Sequence, residues 1–223
     1  MPQRIWIFGG GDLEAWALEE LVRDDRLVGA DRGAWFLVSN GYRPELSIGD
    51  FDSVTAEEAA LIRENSASYA DCDAVDKDKT DLELALDWAI AERPAEIVVV
   101  GATGTRFDHT LANVQLLRKA SEAGIPCRIV DARNEIRLAR GGERTLVRKG
   151  PYHYVSLLPL AGEVRGITLT GFRYPLNDAT LPVGSTLGVS NELLGESGVV
   201  ESASGDLLVI SSRLDRPSAD ARP

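Results

Sequence analysis

Carboxylates cluster in the first half of the chain at places where a hard cation and a phosphate group could be held. The first cluster is Ile48-Gly49-Asp50-Phe51-Asp52-Ser53. Read as an extended segment, it projects Asp50 and Asp52 to one side, where a divalent ion fits between them; the plainer alternative is a surface turn, in which Asp and Gly are common. The second runs from Asp71 to Asp81 and holds Asp71, Asp73, Asp76, Asp78 and Asp81, with Lys77 and Lys79 interleaved. Like charges this close repel unless solvent or a cation relieves them. Such a stretch is either a solvated acidic loop or a place where carboxylates, two lysines and the helix start at Thr80 coordinate Mg²⁺ and receive phosphate oxygens. A third cluster, Gly101-Ala102-Thr103-Gly104-Thr105-Arg106-Phe107-Asp108-His109, adds a hydrogen-bond donor for phosphate. Its glycines permit close backbone approach to a ligand, Arg106 offers a planar fork, and Asp108 either caps a helix or binds an ion. His109 reads as a hydrogen-bonded or surface histidine rather than a general base.

These clusters must be positioned by something rigid, and the hydrophobic pattern supplies it. Short apolar runs at 4–8, 27–30, 46–48, 68–70, 97–100 and 127–130 alternate with helical patterns at 13–22, 33–40, from Thr55, from Thr80 and at 108–123. That rhythm predicts a parallel sheet wrapped by helices, whose ligands sit where strands hand over to loops. Thr55 with Glu58 and Thr80 with Glu83 are spaced as capping boxes, and Leu82, Ala85, Leu86, Ala89 and Ile90 share one face of the helix after Thr80. After about Asn134 glycines come close together and no three-turn helix is evident, which predicts short strands in a sandwich or barrel. The expected organisation is an α/β parallel-sheet N-terminal domain over 1–133, an all-β sandwich C-terminal domain over 134–213, and a flexible tail over 214–223.

Composition narrows the function classes. Of 223 residues, 44% are hydrophobic and 26% charged, proportions of a globular chain rather than a disordered or fibrous one. The formal net charge is −11, and residues 1–100 hold 22 acids against 9 bases. That charge disfavours nucleic acid or an anionic membrane as partner. No apolar run is long enough to span a bilayer and no basic head precedes an apolar core at the start, so the sequence reads most simply as cytoplasmic. Cys72 and Cys127 lack metal-ligand spacing and read as ordinary thiols. Neither a Walker A nor a GxGxxG pattern is present, so a P-loop or dinucleotide analogy does not apply.

Taken in order, five segments resemble the thiamine pyrophosphokinase (thiamine diphosphokinase) family. They are Ala30-Asp31-Arg32-Gly33-Ala34; Pro44-Glu45-Leu46 with residues 48–53; Asp76-Lys77-Asp78-Lys79-Thr80-Asp81-Leu82-Glu83-Leu84-Ala85; residues 101–113; and Gly188-Val189-Ser190-Asn191-Glu192. The resemblance implies Mg²⁺-dependent transfer of pyrophosphate from ATP to the hydroxyl of thiamine, giving thiamine diphosphate and AMP, in a homodimer. It assigns Asp50, Asp52 and Asp81 as Mg²⁺ ligands, with Asp78 as a further ligand and Asp108 in the catalytic set. It makes Asp31 a metal-site carboxylate or a base. Lys77, Lys79, Thr80 and Arg106 become contacts to ATP, and Ser190 and Asn191 contacts to thiamine. Arg32 stands where many members have a second glycine. All four tryptophans precede residue 89, so no thiamine-stacking residue carries over to the second domain. Another Mg²⁺-dependent phosphotransferase and a non-catalytic nucleotide sensor are the competing readings.

Overall fold

The computed structural model describes residues 3–72 and 78–214. It divides into two compact units, Met1–Ala132 and Arg133–Pro223. In the first unit the expected alternation forms β1 (Arg4–Phe8), β2 (Arg26–Ala30), α1 (Arg32–Ser39), β3 (Leu46–Gly49), α2 (Ala56–Asn65), β4 (Ser68–Asp71), α3 (Asp81–Ala91), β5 (Glu96–Val100), α4 (Phe107–Gln115), α5 (Leu117–Glu122) and β6 (Cys127–Val130). The strands lie in the order β4-β3-β2-β1-β5-β6, every adjacent pair parallel. Ile5, Trp6, Ile7 and Phe8 on β1 and Ile97, Val98, Val99 and Val100 on β5 are all buried, as expected of parallel strands covered on both faces. Strand order reverses at β1, with β2 on one side and β5 on the other, and this is the switch point at which open α/β sheets place ligands.

Helix caps explain two of the starts. Thr55 and Glu58 form a complete capping box before α2. Thr80 accepts from the Glu83 backbone N–H at the start of α3, but the Glu83 carboxylate turns to Lys119 at 2.9 Å instead of closing the box. The inward face of α3 is Leu82, Ala85, Leu86 and Ala89, with Ile90 only half-buried.

Further expectations need correction. Residues 13–22 form only a 3-10 turn at Ala15–Leu18. Backbone bonds from Gly11 and Asp12 to the 101–103 segment pin one end of this connection, and the Arg4 clamp on Asp25 at 2.7 Å pins the other. Leu13, Trp16, Leu18 and Leu21 still pack on the core around Trp6 and Phe8, so burial is satisfied without a helix. The helix expected over 108–123 is broken at Leu116, whose N–H is shared between the carbonyls of Ala112 and Asn113. The strands after Asn134 are not uniformly short, because β9 runs 17 residues.

The second unit is all antiparallel. Its strands β7 (Asn134–Arg140), β8 (Arg144–Arg148), β9 (Tyr154–Thr170), β10 (Ala179–Leu181), β11 (Ser197–Glu201) and β12 (Ser204–Ser212) run in the order β7-β12-β9-β11-β8, with β10 beside β9. Gly162 and Gly166, expected as turns, instead sit inside β9 at φ of 67° and 69°, where the register against β12 shifts. There β9 passes from β12 to pair with β10 and β11. One core cluster, with Val155, Leu157, Ile167, Leu181, Val200 and Leu207, draws on most of these strands.

Candidate functional site

At the carboxyl edge of the parallel sheet, the loops after β1, β2, β3 and β5 and the start of α3 enclose an open cleft of about 840 Å³. Asp31, Asp50, Asp52, Asp78, Lys79, Thr80, Asp81 and Arg106, drawn from clusters far apart in sequence, all border it. Lys77, Asp73 and Asp76 lie outside the described residues.

Asp31 follows the last residue of β2 and adopts φ 50°, an uncommon conformation for a side-chain-bearing residue. Its N–H is held by the Ile48 carbonyl at 2.9 Å, and one carboxylate oxygen, Oδ2, accepts from the Ser53 hydroxyl at 2.7 Å. The other oxygen, Oδ1, is buried with no hydrogen-bond partner among the described residues. Burial raises the Asp31 carboxyl above the ordinary range; Ser53 opposes this, while the charges of Asp81 and Asp52 push it further up.

Asp50 and Asp52 reach the same place by a route other than the extended segment that the alternation suggested. Phe51 has φ 54°, is buried, and stacks on Tyr69 at 4.7 Å, so the chain turns about an inward aromatic anchor. The Asp52 N–H donates to Asp50 Oδ1 at 3.2 Å across that turn. Asp31, Asp50 and Asp52 each bring a carboxylate oxygen within 4.8 Å of the others. Three convergent carboxylates, one with an orphaned buried oxygen, suit a hard divalent cation that takes oxygen ligands. Asp81 approaches from α3: a Cβ on Gly49 would lie 3.3 Å from its carboxyl carbon and 3.2 Å from the Asp31 nitrogen, so glycine there lets the two acids converge.

Basic and hydroxyl side chains flank the acids. Arg106 and Asp108 pair at 2.8 Å, both well exposed, and the Arg106 pair is the first cause holding the Asp108 carboxyl below its usual range. Arg106 is the N-cap of α4 and makes no side-chain cap, so Asp108 stands in the first turn rather than at the cap. Asp108 does not border the cleft, whereas the exposed His109 does. Asn113 donates to the Ala102 carbonyl and Thr110 accepts from the Gly104 N–H, fastening the glycine loop to α4.

The loop Gly9-Gly10-Gly11-Asp12 also borders the cleft, and the motifs did not single it out. A signal was present, three glycines directly after a buried strand. A Cβ on Gly11 would lie 2.1 Å from the Thr103 carbonyl oxygen, so this loop and the 101–104 loop touch backbone to backbone.

Ser190 and Asn191 belong to the second unit. Ser190 is exposed at φ 61°, and its N–H donates to the Ser156 hydroxyl. Asn191 is buried and clasps backbone: its oxygen accepts from the N–H groups of Tyr174 and Glu192, and its amide nitrogen donates to the Tyr174 carbonyl at 2.7 Å.

Comparison with known proteins adds independent findings. Residues 18–129 match the family model described as thiamin pyrophosphokinase, catalytic domain, and residues 143–207 match thiamin pyrophosphokinase, vitamin B1 binding domain. The chain is 40% identical over 185 residues to the thiamine pyrophosphokinase of Bacillus subtilis (strain 168), covering 83% of this chain and 86% of that protein. It is similar to the crystal structure of thiamine pyrophosphokinase from Bacillus subtilis, with a TM-score of 0.87 at 36% identity over 94% of this chain and 98% of that one. A thiamin pyrophosphokinase structure from Geobacillus thermodenitrificans gives a TM-score of 0.85 at 38% identity over 95% and 98%.

Proposed function

As a member of the thiamine pyrophosphokinase family the chain is a transferase that makes thiamine diphosphate, and we propose that it does so with ATP and Mg²⁺ at the acidic cleft of the first unit. The carrying observation is the convergence of Asp31, Asp50 and Asp52 beside the start of α3. These three carboxylates would hold the ion, with Asp81 and Asp78 at its margin. A divalent ion there offsets triphosphate charge and orients the β-phosphoryl group.

In the reaction the thiamine hydroxyl oxygen forms a bond to the β-phosphorus of ATP, the bond from that phosphorus to the α,β-bridging oxygen breaks, and AMP departs with that oxygen. The hydroxyl proton must leave. Asp31 borders the cleft beside the other two carboxylates and would orient the hydroxyl or receive its proton, positioning contributing more than proton transfer in such chemistry. Arg106, Lys79 and Thr80 contact phosphate or ribose oxygens, and Lys77 is assigned with them from its sequence motif. The backbone of the Gly9–Gly11 loop gives the nucleotide a close surface. Asp108 acts through Arg106, by orienting its guanidinium.

We read the second unit as a β-sandwich, because β9 passes from one set of partners to another over a common core. The Ser190–Asn191 loop presents the thiamine contacts, with Asn191 shaping the loop through its backbone clasp. The working unit is a homodimer in the cytoplasm. Among the described residues no helix is long and apolar enough to cross a membrane.

The test is product analysis. With thiamine present, ATP and Mg²⁺ should yield AMP and thiamine diphosphate in equal amounts. ADP as product, or turnover that ignores thiamine, would replace this reading with another phosphotransferase or a hydrolase.

A further inference from the structure

Lys79 borders the cleft, yet its ammonium is bound to a residue that does not. Its Nζ lies 2.8 Å from Asp87 Oδ2, and Asp87 sits six residues beyond Asp81 on α3, about 9 Å along the helix axis from the cleft end. The other Asp87 oxygen accepts from Lys119 of α5 at 2.5 Å, and the same Lys119 ammonium reaches Glu83 at 2.9 Å. We propose that Asp87 is a positioning residue that parks the Lys79 ammonium away from the cleft and yields it to nucleotide phosphate when ATP binds. The proposal rests on the preceding reading that Lys79 contacts ATP.

Two features favour a releasable contact over a fixed structural pair. Lys119 remains on Asp87 after Lys79 leaves, so departure does not strand a half-buried carboxylate. Burial pushes the Asp87 carboxyl up, but Lys119 and then Lys79 pull it down, leaving it below its ordinary range. The Lys79 side chain is also 45% exposed, and ion pairs so open to water shift an equilibrium by only about two- to fivefold. A multiply charged phosphate chain on the far side of a flexible stem can outcompete a contact of that size.

The experiment measures kcat and the KM for ATP, at saturating thiamine and Mg²⁺, for the wild type, Asp87→Asn, Lys79→Gln and the double variant. Asp87→Asn should lower the KM for ATP about two- to fivefold with kcat within about twofold of wild type, since release no longer opposes binding. In the Lys79→Gln background the same change should leave KM unmoved. An unchanged or raised KM in the Asp87→Asn single variant overturns the proposal, and so does an equal drop with Lys79 absent, which would reflect only the loss of a negative charge. Lys79→Gln alone tests the underlying reading: if it leaves the KM for ATP unchanged, Lys79 does not contact the nucleotide. If Asp87→Asn does not fold, Asp87→Ser, which removes the same charge, takes its place.

Discussion

Asp31 concentrates the conflict between folding and chemistry in one side chain. Its left-handed backbone, its orphaned Oδ1 and its acidic neighbours each oppose stability, against which the fold sets the Ser53 hydroxyl on Oδ2. Because its folded carboxyl is raised above the unfolded value, the group's contribution is fully present below the ordinary carboxylate range and is lost as pH rises through the raised value. Asp31→Asn should therefore stabilise the metal-free protein more at pH 7 than at pH 4, where protonation of the wild-type carboxyl narrows the difference. Thermal melts at the two pH values check this, and an Asn variant less stable at pH 7 would show that the carboxylate serves the fold. The same variant, with Asp50→Asn and Asp81→Asn, should lose at least about a hundredfold in turnover, since each removes charge that holds the ion and phosphates. Asp108 belongs to another category despite its place in the motif. It pairs with Arg106 in full solvent and does not stand at the N-cap, so Asp108→Ser should melt close to the wild type and keep turnover within about tenfold.

Elements were legible where local pattern and tertiary need agreed. β5 announces itself as an apolar β-branched run, the other parallel strands as short segments alternating with helices, and α2 by a capping box that the structure closes completely. Legibility failed where distant residues decided. Glu83 satisfies Lys119 rather than its own helix start, and the 13–22 segment is held at both ends by contacts to 101–103 and Arg4 that no short window contains. The site followed the same rule. The acids were readable because like charges close in sequence are conspicuous, whereas the glycine loop after β1 gains its role only from backbone contact with residues ninety positions on. Gly11→Ala should separate those loops, costing at least about 2 kcal/mol and weakening ATP binding together, because the clash is with backbone carbonyls that cannot swing aside. Calorimetric binding and a melt on one sample check the pairing of effects. Arg26 is the corresponding tie at the other end of α3. It bonds Glu45 ahead of β3 and Glu92 at the end of α3, and it lies over Trp88 at 5.2 Å. Arg26→Ala should cost about 1–2 kcal/mol by denaturant titration, with Arg26→Lys restoring only part, as a point charge cannot reproduce the fork.

At the scale of the molecule, the acid excess lies in the half that carries the cleft, and the segment matched to the vitamin B1 binding domain lies in the other unit. A homodimer that builds each site from the first unit of one chain and the second of its partner would need both halves, though not from the same chain. Two variants separate the contributions. Asp50→Asn disables the acidic half. Asn191→Ala disables the loop by removing the clasp on Tyr174 and Glu192, and a melt above the assay temperature verifies that the rest of the chain stays folded. Each variant alone should be nearly inactive. When equal amounts are mixed and subunits exchange, half the dimers are mixed, and in each of these one site combines both lesions while the other combines two intact halves. Activity should thus return to about a quarter of the wild-type value per chain. If each site belongs to one chain, every site in the mixture carries a lesion and nothing returns. Exchange demonstrated with labelled subunits but without recovered activity, or an active species that sediments as a monomer, would place each complete site within a single chain.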